Sequence, residues 1–98
     1  MASTKEYKNF ILENLELDDI TFRPMMGEYL LYYKKVLLGG IYDNRLLVKK
    51  VDSNKKYNMI ISIPYEGAKS MYLVDTDDKE LLKNIILDTY KDLIKKVG

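Results

Sequence analysis

Residues 20–50 read ITFRPMMGEYLLYYKKVLLGGIYDNRLLVKK, and the fold turns on how that stretch is divided. Ile20-Thr21-Phe22-Arg23 alternates apolar with polar, the period-two signature of a half-buried strand, until Pro24 interrupts it. Gly27 permits a sharp reversal. Runs rich in Leu, Val, Ile and Tyr follow at 29–33, 36–42 and 45–50, and the pairs Lys34-Lys35 and Asp43-Asn44 separate them at hairpin distance. Strands joined by such tight turns need no crossover helix, so the stretch predicts an antiparallel meander. Gly39-Gly40 lies inside the 36–42 run, where glycine marks a bulge or a close backbone approach. The expectation is that the first or last helix crosses the sheet closely there.

Working outward, Ser3 and Glu6 have the spacing of a capping box, and Tyr7, Phe10, Ile11 and Leu15 follow at helical intervals. This predicts an amphipathic helix over 4–16, closed by the turn chemistry of Asp18 and Asp19. On the other side, the polar segment 53–58 has room for one helical turn, and 59–63 is an apolar run stopped by Pro64. Pro64-Tyr65-Glu66-Gly67 is turn chemistry, and 70–74 reads as a further strand. Thr76 or Asp77 can cap a last helix, with Asp77 and Glu80 as its capping box. Leu81, Leu82, Ile85, Ile86, Tyr90, Leu93, Ile94 and Val97 supply its apolar stripe. Lys91, Lys95 and Lys96 favour its negative dipole end, and Gly98 ends the chain. The fold class predicted is α+β: a two-layer antiparallel sheet, a meander plus a further strand, packed by N- and C-terminal helices. All of residues 1–98 fit one domain, large enough to bury roughly two-thirds of its unfolded surface without staples.

Composition narrows the chemistry. With 47% hydrophobic and 32% charged residues the chain is globular, and it contains neither Cys nor His. Disulfides, thiolate nucleophiles and thiolate metal sites are therefore excluded, and so are imidazole-dependent triads and most catalytic zinc sites. The expectation is a protein that is not an enzyme and holds no cofactor or metal. The first residues lack the pattern of a signal peptide, and no run approaches the roughly 20 apolar residues of a membrane span. A cytoplasmic protein with no membrane partner is expected.

Asp75, Asp77 and Asp78 resemble a cation cluster at first sight. A calcium loop counted from Asp75 would need Gly and Glu where Glu80 and Ile86 stand, so helix capping is the better explanation. Between 34 and 56 there are seven basic residues (Lys34, Lys35, Arg45, Lys49, Lys50, Lys55 and Lys56) against two acids, Asp43 and Asp52. Tyr32, Tyr33, Tyr42 and Tyr57 lie among them, as a base-stacking surface requires. The nucleic-acid reading places its contacts at the six lysines; the competing reading is lysine guarding strand edges. Most of the nine tyrosines suit a thin two-layer core, leaving Tyr29, Tyr65 and Tyr72 as candidates for a protein contact. A third alternative is a ligand or enzyme site around Arg23, Glu28 and Glu66, which requires a pocket there.

Three motifs in order carry a family resemblance. Residues Arg23-Pro24-Met25-Met26-Gly27-Glu28-Tyr29-Leu30-Leu31-Tyr32-Tyr33 resemble the Arg-x-Met-Phe-Gly-Gly-x-Gly-Leu-Tyr stretch of the TfoX/Sxy N-terminal domains. Gly40-Ile41-Tyr42-Asp43-Asn44-Arg45-Leu46-Leu47-Val48-Lys49 is similar to that family's Asp-Asp-Arg-Leu-Tyr-Leu-Lys hairpin. Pro64-Tyr65-Glu66-Gly67-Ala68-Lys69-Ser70-Met71 is similar to its turn into the last strand. Glu28 and Leu30 stand where the family has glycines.

The resemblance implies a two-layer fold like that of type III secretion chaperones, and no catalytic residues. It points to Arg23, Met26, Gly27, Gly40, Asp43, Arg45, Lys49, Tyr65, Glu66, Gly67 and Lys69 as structural or contact positions. It also implies a stand-alone domain, without the helical C-terminal domain of the full-length competence regulators. The function expected is a non-enzymatic interaction module with a protein partner, transcription machinery being the class implied. Homodimerisation through an open sheet edge or a helix face is a further expectation.

Overall fold

The computed structural model describes residues 3–95. The elements run α1 (Lys5–Leu15), β1 (Ile20–Met25), β2 (Glu28–Tyr33), β3 (Val36–Tyr42), β4 (Arg45–Val48), a 3-10 turn at Asp52–Tyr57, β5 (Ile60–Ser62), β6 (Met71–Leu73) and α2 (Lys79–Lys95). The strands form one antiparallel sheet in the order β1-β2-β3-β4-β6-β5, so the α+β architecture and the meander hold. Two strands follow the meander rather than one, and the later of them, β6, is inserted between β4 and β5. Lys96, Val97 and Gly98, assigned from the sequence to the end of the last helix, lie outside the described residues.

Each meander turn is a two-residue loop with positive φ at both central positions, the backbone pattern that matches strand twist. They are Met26-Gly27, Lys34-Lys35 and Asp43-Asn44. Pro24 does not end β1, which continues to Met25. As β1 is an edge strand, it tolerates a residue without an N–H. Between β2 and β3 the register shifts, Leu31 opposing Gly39 and Tyr32 opposing Leu37, so Leu38 is the extra residue of a bulge.

The glycines after the bulge answer to strands, not to a helix. A Cβ on Gly39 would collide with the Leu47 carbonyl oxygen. A Cβ on Gly40 would lie 2.6 Å from the Tyr29 carbonyl oxygen and 2.8 Å from the Tyr42 ring. The expected helix crossing is therefore corrected: it is the neighbouring backbone that comes close.

One face of the sheet carries the core. Leu31, Leu38, Ile41, Leu46 and Val48 pack there against Ile11 and Leu15 of α1 and Leu82, Ile85 and Ile86 of α2. Two helical positions depart from the sequence reading. Phe10 and Ile94 sit at the margins of their apolar stripes and are exposed. The stripe of α2 also hides polar groups. Asn54 is fully buried, its Nδ2 donating to the Lys49 carbonyl and to Thr89 Oγ1, its Oδ1 accepting from the Val51 N–H. Asp92 accepts from both the N–H and the hydroxyl of Ser53. This junction welds the 3-10 turn to α2.

The caps differ from expectation by one residue each. Thr4, not Ser3, caps α1, accepting from the Tyr7 N–H. Asp78, not Thr76 or Asp77, caps α2, its Oδ1 accepting from the N–H groups of Glu80 and Leu81. Ser3 is buried instead, its hydroxyl 2.6 Å from Glu28 Oε1 and accepting from the Asn44 N–H.

Candidate functional site

The outer face of the sheet, away from both helices, is finished by a loop. After β5 the chain crosses through residues 63–70 before returning as β6. Arg45 pins it: one arm of the guanidinium donates to Ser62 Oγ, and both arms reach the Ile63 carbonyl at 3.3 Å. A longer contact joins it to the Pro64 carbonyl, while Nε donates to the Tyr42 carbonyl. Pro64 is buried in consequence, and Gly67, with φ +86, forms the tip.

Between this loop and the sheet lies a groove of about 760 Å³. Leu37, Tyr42, Pro64 and Met71 give it an apolar floor, and Tyr65 stands beside Tyr42 with ring centroids 6.0 Å apart. Tyr42 is buried while Tyr65 is 57% exposed. Gly40 makes this possible, because any side chain there would displace the Tyr42 ring. Burial pushes the Tyr42 phenol up, with Tyr65, Glu28 and Tyr32 adding to the shift, so it stays a neutral donor. Lys49, Lys50 and Lys69 also line the groove. No carboxylate does, and the ion pairs among the described residues engage other lysines.

Folding sorts the residues singled out by the sequence motifs into two places. Lys49, Tyr65 and Lys69 line the groove, and Arg45 holds its loop wall from the end of β4 next to the Asp43-Asn44 turn. Gly27, Glu28 and Asp43 meet in a clip that holds the start of α1, at the end of the sheet where the β1–β2 and β3–β4 turns lie. There the Gly27 carbonyl accepts from the Ser3 N–H, and Glu28 accepts from the Asp43 N–H at 3.1 Å. Met26 projects from that end, 97% exposed. Arg23 lies over the Tyr32 ring, and Glu66 is exposed on the loop. Arg23, Glu28 and Glu66 therefore do not converge, and none lines the groove.

The six lysines of the 34–56 region are also divided. Register places Lys34, Lys35, Lys49 and Lys50 at one end of the sheet; Lys49 and Lys50 line the groove with Lys69, while Lys34 lies over the Tyr33 ring. Lys55 pairs with Asp52 and Lys56 with Asp88. The tyrosines among them are largely spoken for. Tyr33 is buried edge-on against Tyr90, Tyr42 is buried, and the Tyr57 hydroxyl donates to Asp88. Burial alone would raise Asp88, but the hydrogen bonds from Tyr57 and Lys56 and the lysine charges hold it below the usual carboxylate value. Tyr29 and Tyr72, named as contact candidates, pack against the core, which leaves Tyr65. Sequence reasoning missed Leu37, Pro64 and Met71 as groove residues. Only the turn chemistry at Pro64 hinted that the loop would fold back.

Among the described residues no helix is long and apolar enough to cross a membrane. No protein-family model matches the chain, and no solved structure matches it. The uncharacterized 12.7 kDa protein in the trpE 5′ region of Spirochaeta aurantia is 40% identical to it over 78 residues. The aligned part covers 76% of this chain and 68% of the relative. At that identity and coverage, the chain belongs to the family of the Spirochaeta aurantia 12.7 kDa protein.

Proposed function

We propose that this protein is a cytoplasmic, non-enzymatic interaction module, similar in role to a TfoX/Sxy N-terminal domain, which holds a protein partner in its outer-face groove. The observation that carries this reading is the groove itself. It is apolar at its floor, and Arg45 ties its loop wall in place. A wall already ordered loses little freedom when a partner binds. Lys49, Tyr65 and Lys69, drawn from two motifs of the TfoX resemblance, come together in the groove lining, which supports the same reading. Transcription machinery is the partner class that the resemblance suggests.

The test is quantitative capture from native cell extract on immobilised full chain, compared with Tyr65→Ala. Partners held through the groove are lost with Tyr65→Ala. Proteins retained equally by both place the contact elsewhere and refute the reading.

One other surface supports the expected homodimer. Ile60, Ile61 and Ile63 are 67%, 58% and 55% exposed along the outer edge of the sheet. An exposed apolar edge strand, even one as short as β5, offers unpaired backbone groups to another strand. Sedimentation across a concentration series, with Ile61→Lys as the comparison, distinguishes a β5-edge dimer from a monomer.

A further inference from the structure

We infer that the groove takes an acidic, partly apolar segment of its partner, with Lys49, Lys50 and Lys69 meeting carboxylates and Tyr42, Pro64 and Met71 receiving an apolar side chain. The inference rests on the interaction-module reading and specifies the chemistry of the occupant.

The charge imbalance is local. The chain as a whole carries a net charge of only +1. At the groove three lysines line one concavity with no acid among its lining residues. Elsewhere on the surface lysines have acids to hand, as in Lys55–Asp52 at 3.0 Å and Lys79–Glu16 at 3.3 Å. Like charges gathered without counter-charges repel, and an incoming polyanion relieves that repulsion while its field steers encounter.

Two anionic macromolecules fit such a field, and the tyrosines decide between them. A single-stranded nucleic acid needs exposed rings on which successive bases stack. Tyr33, Tyr42 and Tyr57 are held by Tyr90, the sheet and Asp88, and Tyr32 is half-buried with Arg23 over its ring, so among the groove-lining residues only Tyr65 offers an exposed ring, too few for successive bases to stack. A peptide needs one or two apolar receptors with polar groups around them, which is what Leu37, Tyr42 and Met71 offer below the lysines. The neutral Tyr42 phenol adds a donor suited to a carbonyl or carboxylate.

The experiment is selection of short random peptides displayed on phage against the full chain. Enriched sequences are then synthesised, labelled and titrated by fluorescence polarisation. The expected winners carry several Asp or Glu around a Leu, Met or aromatic residue. Their affinity falls about ten-fold with Lys69→Glu or Lys50→Glu, both exposed positions whose variants remain folded by circular dichroism. It also falls as salt rises, and is unchanged by Lys55→Glu, which lies outside the groove.

Winners without acidic excess that still require Tyr65 overturn the acidic chemistry and leave the interaction reading standing. Winners indifferent to Lys50, Lys69 and Tyr65, or no enrichment at all, overturn both. An oligo-dT probe that binds more tightly than any selected peptide, and is lost with Lys69→Glu, overturns the inference in favour of nucleic acid.

Discussion

The two faces of the sheet are finished by different means. Beneath α1 and α2, the side chains of Leu31, Ile41, Leu46 and Val48 are sealed by regular helices and by the Asn54–Thr89 junction. On the outer face Leu47 is equally inaccessible and Tyr42 nearly so, yet no helix lies there. A loop held by one arginine covers part of that face and leaves a groove beside it. Burial alone therefore does not distinguish the faces. What differs is the cover: two regular helices on one side, and on the other a single loop tied by Arg45 that leaves a groove open beside it.

The difference between the faces is tested most severely at Leu46 and Leu47, neighbours on opposite sides. Leu46→Ala leaves a cavity between sheet and helices and costs about 3 kcal/mol, whereas Leu47→Ala costs about 2 kcal/mol because the loop can settle into the space. Urea unfolding of both variants checks this, and equal losses would mean that the loop is as rigid as the helices. Next in size is Asn54→Ala. It leaves the Val51 N–H and the Lys49 carbonyl unpaired in the interior and costs about 2 kcal/mol by the same measurement.

Arg45→Ala sharpens the contrast from the other side. Global stability falls by only about 1 kcal/mol, while amide exchange quickens across 63–70 and stays slow in α2. Uniform quickening would show that the loop is not a separate unit. The smallest effect is a pH dependence on the helix side. The Tyr57 phenol is pushed up to about 12, by burial first and then by its hydrogen bond to Asp88 and that group's charge. Unfolded tyrosine titrates near 10, so this contribution is complete below that pH and is lost as pH climbs through 10 toward 12. The thermal midpoint declines over that window, and Tyr57→Phe flattens the decline.

The same contrast separates what was legible in the sequence from what was not. The meander was legible because its information is local: polar pairs at two-residue turns, and runs long enough to be strands. The two helices were legible from periodicity. What the sequence hid depends on which distant groups come together. Ser3 carries a good capping signature, but its hydroxyl is taken by Glu28 and Asn44, residues far along the chain. Pro24 signals a break only until β1 is known to be an edge. The 34–56 lysines and tyrosines form one suggestive run in sequence. Folding gives Lys55 and Lys56 to acids and Tyr33 and Tyr57 to the α2 side, while Lys69, from a separate segment, joins Lys49 and Lys50.

The insertion of β6 between β4 and β5 sets an order of events during synthesis. A ribosome delivers residues 60–62 before 71–73, yet in the finished sheet the earlier segment pairs only with the later one. The meander can zip as it emerges, turn by turn, whereas the isoleucines of β5 must wait unpaired for β6 to leave the exit tunnel. A nascent apolar strand with no partner is where misassociation begins. Slowing translation just after the codons for β5 should therefore lower the yield of folded protein, and slowing it before β1 should not.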